Sequence, residues 1–212
     1  MKLIISALVC FTLFFQIISC NQPSQNAVYQ EVKTDLTPQR DSTQYVFWKN
    51  LKEICGNSYE GKITAGGEND TMFAGKRLVM HVRSCKESQI KIPFFVGQDS
   101  SRTWVLNLRN DNLQLKHDHR YSTGRPEELT MYGGHTLNFG ASTRQIFPAD
   151  QQTADMLPPA IGNVWWIDLV PNKYFSYNLR RVNTDRVFTV TFDLTQTVQN
   201  PGKPWGWDFV ID

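Results

Sequence analysis

An all-β fold, an antiparallel meander that closes as a barrel or folds as a sandwich, is what the sequence predicts, and three observations carry it. From about residue 57 onward the apolar residues recur with period two rather than at helical spacing. Clusters of Gly, Asn, Asp and Pro interrupt that pattern at intervals of roughly 8 to 14 residues. The long crossover helices that a βαβ fold needs are missing from the pattern.

One short helix opens the folded part. Residues 42–54 place Val46, Phe47, Leu51 and Ile54 at helical spacing, with Asp41 or Ser42 positioned to cap the start. Strands are then expected over 57–64, 76–84, 89–96, 103–108, 113–119 and 128–132, followed by 163–170, 174–181 and 186–194. Their separators carry turn chemistry, notably Gly66-Gly67-Glu68-Asn69-Asp70, Gly97-Gln98-Asp99-Ser100, Asn110-Asp111-Asn112, Pro171-Asn172 and Asn183-Thr184-Asp185. A second short helix is expected over 148–156, started by Pro148-Ala149-Asp150, stopped by Pro158-Pro159, and capping one end of the sheet. The domain has no internal repeat of fixed period, which argues against solenoids and propellers.

The first residues are of another kind. Lys2 is a positive n-region and Leu3 to Ile18 an almost unbroken apolar run, the pattern of a secretory signal. The run ends in Ile17-Ile18-Ser19-Cys20, which resembles the lipobox of bacterial lipoproteins. The resemblance implies cleavage before Cys20 and diacylation of its thiol; two acyl chains hold a protein on a membrane where one gives only marginal attachment. An ordinary signal peptide with an incidental cysteine and an uncleaved anchoring helix are the alternatives. Residues 1–19 are thus expected to be a signal peptide and 20–42, rich in Gln, Asn, Ser, Thr and Pro, a flexible tether. Residues 43–212 form the domain, held in the cell envelope. Asn21, in place of an aspartate after the lipid site, leans the expectation toward the outer membrane.

Of the four cysteines, Cys10 leaves with the signal and Cys20 carries lipid, so Cys55 and Cys85 remain. In an oxidising compartment such a pair reads as one disulfide, with two free structural thiols as the alternative. The formal charge is +2 and no block of like charges occurs. Neither nucleic-acid binding nor steering onto strongly charged surfaces is indicated.

Trp48-Lys49-Asn50-Leu51 followed by Cys55-Gly56-Asn57-Ser58-Tyr59-Glu60-Gly61 resembles the start of lipocalin-like (calycin) barrels, in which a short helix leads into a Gly-x-Trp or Gly-x-x-Tyr first strand. Longer stretches resemble a group of uncharacterised bacterial secreted proteins and lipoproteins: Gly75-Lys76-Arg77-Leu78-Val79-Met80-His81-Val82-Arg83-Ser84-Cys85, Arg102-Thr103-Trp104-Val105-Leu106, His117-Asp118-His119-Arg120 and Met131-Tyr132-Gly133-Gly134. The second resemblance implies no activity.

His117-Asp118-His119 is the most suggestive local feature. On a strand the two imidazoles share one face and Asp118 takes the other. They are candidate zinc ligands, with His81 or His135 as a third from another strand, leaving an open position for an acidic water. The plainer reading is histidines near a strand end that bond to backbone or carboxylates. A third is a polar rim at a barrel mouth, with Arg120 and Tyr121 beside them. Arg83, Arg102, Arg120 and Arg144 recur on or beside strands, facing solvent or converging on a pocket where their planar forks would suit a carboxylate or phosphate. Arg102, Trp104, Arg120 and Tyr132 are the candidate ligand contacts.

Trp165 and Trp166 are adjacent on an expected strand and must point to opposite faces. Trp205-Gly206-Trp207 either docks back on the barrel or serves a partner. Tyr132-Gly133-Gly134-His135 has no helix after it to make a phosphate cradle, so a bulge or turn is expected. No nucleophile elbow or Cys-x-x-Cys occurs.

The leading expectation is therefore a non-enzymatic, lipid-tethered barrel that holds a small apolar or amphipathic molecule. A metal-dependent hydrolase or lyase built on His117 and His119, and an envelope protein-interaction module using the sheet face or the 201–212 tail, are the alternatives.

Overall fold

The computed structural model describes residues 42–67, 70–109 and 112–207. The expected signal peptide, the Cys20 lipid site and all but the end of the tether lie outside the described residues, as does the end of the tail.

Helix α1 (Thr43–Glu53) is capped by Ser42, whose hydroxyl accepts from the Tyr45 N–H at 3.2 Å, and it buries Phe47, Trp48 and Leu51. Eleven strands follow: β1 (Ser58–Ala65), β2 (Leu78–His81), β3 (Ser84–Cys85), β4 (Gln89–Val96), β5 (Asp99–Leu108), β6 (Leu113–His119), β7 (Tyr132–His135), β8 (Arg144–Pro148), β9 (Asn163–Val170), β10 (Tyr174–Arg181) and β11 (Val187–Asp193). Between β8 and β9 come α2 (Gln151–Met156) and a 3₁₀ turn, Pro158–Ala160.

All pairings are antiparallel, and the strand order is β7-β6-β5-β4-β2-β1-β11-β10-β9-β8, with β3 a side piece on β4. The first strand thus pairs with the last. The two ends of that order meet at a bridge between Gly134 and Ala149, so the sheet is a nearly closed barrel rather than a sandwich.

The interior changes character along the barrel axis. Across β5 and β6 the inward cross-strand pairs run Leu108–Leu113, Leu106–Leu115, Trp104–His117 and Arg102–His119. One end is therefore aliphatic, the middle aromatic and the other end polar. Helix α1 lies at the aliphatic end: the Thr43 hydroxyl donates to Phe139 C=O at 2.6 Å, the Gln44 amide to the Thr136 hydroxyl at 2.7 Å, and the Trp48 indole N–H to Glu87 C=O at 3.2 Å. Phe47, Trp48 and Leu51 join one core with Leu113, Leu169 and Phe192. That end is filled, and a cavity lies toward the other.

The departures from expectation have local causes. The strand expected over 76–84 is split, because Val82 and Arg83 leave the ladder between β2 and β3. The strand expected over 128–132 lies at Tyr132–His135 instead, the preceding stretch being spent on turns closed by an Arg120–Pro126 bridge, with Met131 at φ 60°. Strand β8 escapes a hydrophobic pattern because its inward residues are Gln145 and Phe147 while Ile146 faces out. The buried Gln145 side chain donates both amide N–H groups, to Phe139 C=O and Ala141 C=O at 3.1 and 2.8 Å, while its Oε1 has no hydrogen-bond partner among the described residues. Pro148 accordingly ends this strand, and α2 starts later than expected, at Gln151 with Asp150 as its cap.

Cys55 and Cys85 form a disulfide across 30 residues, joining the turn after α1 to β3. Constraining the unfolded chain by a loop of that size stabilises by about 3 kcal/mol in the chain-entropy model. The double variant Cys55→Ser/Cys85→Ser is expected to lose about that much, read as a lower urea midpoint; equal midpoints would contradict it.

The C-terminal run lies against the outside of the barrel. Val198 N–H donates to Ser58 C=O at 2.9 Å and Trp205 N–H to Ser100 C=O at 3.1 Å. Trp207 is buried, with the Arg83 guanidinium and the Lys91 ammonium each 5.2 Å from its ring centre. The tail therefore docks, at least as far as Trp207.

Candidate functional site

The polar end of the barrel holds a cavity of about 400 Å³. Its deep wall is aromatic. Trp104 stacks on Tyr177 at 4.5 Å between ring centres and on Phe94 at 4.9 Å, and His117 stacks on Tyr132 at 4.7 Å while meeting Trp165 at 5.1 Å. These side chains point inward from β4, β5, β6, β7, β9 and β10, where alternation along each strand places them. Phe73, from the segment between β1 and β2, packs on Phe188 at 4.8 Å and covers one side of the opening.

Four polar groups sit in the aromatic wall. His117 Nδ1 lies 3.0 Å from Tyr132 C=O, which can only accept, so Nδ1 carries the proton. Nε2 is then the acceptor, and it receives the Tyr177 hydroxyl at 2.7 Å. His119 Nε2 is 3.1 Å from the Tyr132 hydroxyl, and its Nδ1 is 4.0 Å from Glu127. Burial dominates the acid–base behaviour. It depresses His117 to about 3, and it depresses His119 to about 4 with help from the Arg102 charge. Burial likewise pushes the Tyr132 phenol up to about 12 and the Tyr177 phenol well above its ordinary value. At neutral pH all four are uncharged hydrogen-bonding groups.

Charged groups occupy the mouth. Arg102 is ion-paired to Asp99 and lies 6.0 Å over the Phe73 ring. Asp70 and Glu127 line the same opening, as do Arg181 and Arg186 from the β10–β11 hairpin. The site is thus an uncharged aromatic chamber under a charged rim, which suits a ligand with an apolar body.

The residues singled out in the sequence divide cleanly. Arg102, Trp104, Tyr132, His117 and His119 all line the cavity. Arg120 does not: it turns outward, donating from Nε to Asp118 at 3.0 Å and from a terminal nitrogen to Gly124 C=O at 3.2 Å. His81 is buried on the outer face beneath the C-terminal run, its Nε2 3.4 Å from the Asn200 amide, and His135 pairs with Gln114 away from the cavity. Among the described residues no three His, Cys, Asp or Glu side chains are grouped to hold a metal ion. Both nitrogens of His117 are already engaged. Arg83 and Arg144 are also outside, Arg144 paired with Asp168.

Sequence reasoning missed Tyr177, Trp165 as a wall residue, and the Arg181–Arg186 pair. The signal was available in the alternation of β10, where Phe175, Tyr177, Leu179 and Arg181 share a face. Knowing that this face looks into the cavity required the barrel.

Compared with family models, with curated proteins and with solved structures, the chain matches none of them.

Proposed function

We propose that this protein is a lipid-anchored binding module of the cell envelope that holds a small apolar or amphipathic molecule inside its barrel. The observation that carries the reading is the aromatic chamber of about 400 Å³, open at one end and filled at the other by α1. That volume is at the lower end of small-molecule sites, which span roughly 300 to 1,000 Å³. A ligand of one or two rings or a short chain fits it better than a long acyl chain does. Apolar surface transferred out of water supplies the affinity, about 25 cal/mol per Å² before ordering costs. The neutral His117, Tyr132 and Tyr177 give orientation. Placement in the envelope, preferably at the outer membrane, rests on the apolar run and Ile17-Ile18-Ser19-Cys20.

The test uses 2-naphthamide, an uncharged planar probe. Titration calorimetry of the full chain is expected to give saturable binding at one site. Leu157→Trp, which adds bulk at the half-buried rim, and Leu179→Trp, which adds it inside, are each expected to weaken binding at least about tenfold. Binding that ignores both substitutions in folded variants would place the probe elsewhere and remove this reading.

A further inference from the structure

Arg181 and Arg186 face each other across the β10–β11 hairpin. The register runs Leu179–Phe188 and Arg180–Val187, and the Arg181 N–H donates to Arg186 C=O at 3.0 Å, which makes the two arginines the next cross-strand pair. Both line the cavity, on the same face as Leu179 and Phe188. Like charges placed directly opposite on a strand pair are destabilising. Neither guanidinium forms an ion pair with a carboxylate among the described residues.

Arg102 is paired with Asp99. Asp70 accepts the Met72 N–H at 2.9 Å on the segment between β1 and β2, and Glu127 faces the neutral His119. Among the described residues the opening thus carries two carboxylates without a charged partner and two arginines without one, and of these only the arginines stand directly opposite each other as like charges on a strand pair. Their geometry is also prepared. Arg181 Nε donates to the buried Asn163 side chain at 2.8 Å, which fixes the guanidinium while leaving its terminal N–H groups unassigned. Arg186, at an exposed hairpin position, lines the cavity mouth, and its charge lowers Tyr132 and Tyr177 slightly against the effect of burial.

We propose that the Arg181–Arg186 pair is a head-group site, and that the molecule bound in this barrel is an organic acid whose apolar body lies against Trp104, Trp165, Tyr177 and Phe188 and whose carboxylate is held between the two arginines. A planar carboxylate accepts two N–H donors from one guanidinium fork, and an anion between two forks replaces their mutual repulsion with attraction. The proposal rests on the ligand-binding reading above and deepens it by naming the class of ligand.

The experiment compares 2-naphthoate with 2-naphthamide, which share the ring system and differ in the charge of the head. In titration calorimetry of the full chain the naphthoate is expected to bind about tenfold tighter or better, a hydrogen bond to a charged group being worth roughly that factor or more. Added salt should erode the advantage and leave the amide unaffected. In Arg181→Gln/Arg186→Gln the two affinities should converge while 2-naphthamide binds as before. Arg186→Gln alone, at an exposed hairpin position, should close part of the gap and serves if the double variant folds poorly. Lys62→Gln removes a positive charge from the exposed outer face of β1 and should leave the preference intact. Equal binding of the two probes by the unmodified chain, or a preference for naphthoate that survives Arg181→Gln/Arg186→Gln, overturns the arginine site with the cavity reading still standing. Failure of both probes to bind removes the cavity reading and the arginine site together.

Discussion

Gly134→Ala is expected to destabilise the protein by on the order of 4 kcal/mol, among the largest effects of any single-carbon change in the chain. A Cβ at this position would be driven into the Pro148 carbonyl and the Ala149 nitrogen, both of them backbone. No rotamer relieves such a clash. The ladder must open where the barrel is held shut, at the Gly134–Ala149 bridge between β7 and β8. Neighbouring bonds depend on the same approach. The Thr153 hydroxyl exchanges hydrogen bonds with Gly133 N–H and C=O, each at 2.6 Å, and Asp150 N–H donates to Gly133 C=O at 3.0 Å. Widening the seam strains all of these and shifts Tyr132, two residues from Gly134 on the cavity wall. Gly162→Ala is the matched control, since its Cβ would meet only ordinary van der Waals contacts and should change stability by under about 1 kcal/mol. Urea unfolding of the two variants settles the matter; a Gly134→Ala midpoint equal to that of Gly162→Ala would show that the seam does not hold the barrel.

That glycine pair illustrates how the sequence carries some of its structure openly and hides the rest. Period-two alternation is a property of a strand and its two faces, so most strands, the turns between them and the opposite placement of Trp165 and Trp166 can be read from the chain. Gly133-Gly134 reads locally as a bulge or turn, whereas its role is to let two strands approach, and only the partner strand reveals that. Strand β8 was hidden for a related reason. Gln145 is inward and its amide nitrogen is held by two loop carbonyls, an arrangement that hydrophobicity does not signal.

The cavity shows the same division. His117 and His119 can be placed on one face by spacing alone, and Trp104 and Arg102 align with them through the β5–β6 register. What no local pattern supplies is the far wall. Tyr177 comes from β10, 60 residues further along, and satisfies the His117 nitrogen that an open metal site would need vacant. The Arg181–Arg186 pair is likewise a product of hairpin register. Arg120 is the converse case: it adjoins the histidines in sequence but is one residue out of phase with them, and so it turns outward to Asp118.

Lowering the pH from about 6.5 to 4 is expected to cost several kcal/mol of stability, and the buried histidines determine the window. In the unfolded chain an imidazole protonates near its ordinary value of 6.5, whereas in the barrel burial holds His117 to about 3 and His119 to about 4. Between those limits the unfolded state binds more protons than the native state, so stability rises with pH and falls as the solution is acidified. Each group contributes up to about 1.4 kcal/mol per pH unit. The loss begins as pH drops through 6.5 and continues until the native imidazoles themselves titrate. His81, also depressed by burial, acts in the same direction. Asp99 and Asp150, whose carboxyls are lowered in the fold, lose their contribution only below the ordinary value of 3.8, outside this range. Tyr132 and Tyr177, whose hydroxyls face the histidines, are raised by burial and stay neutral across the window. Urea midpoints measured at pH 7, 6 and 5 should therefore fall in step for the wild type and more shallowly for His117→Gln/His119→Gln, whose amides do not titrate. An equal slope in the two proteins would mean that the imidazoles are solvated and that the chamber they line is wet.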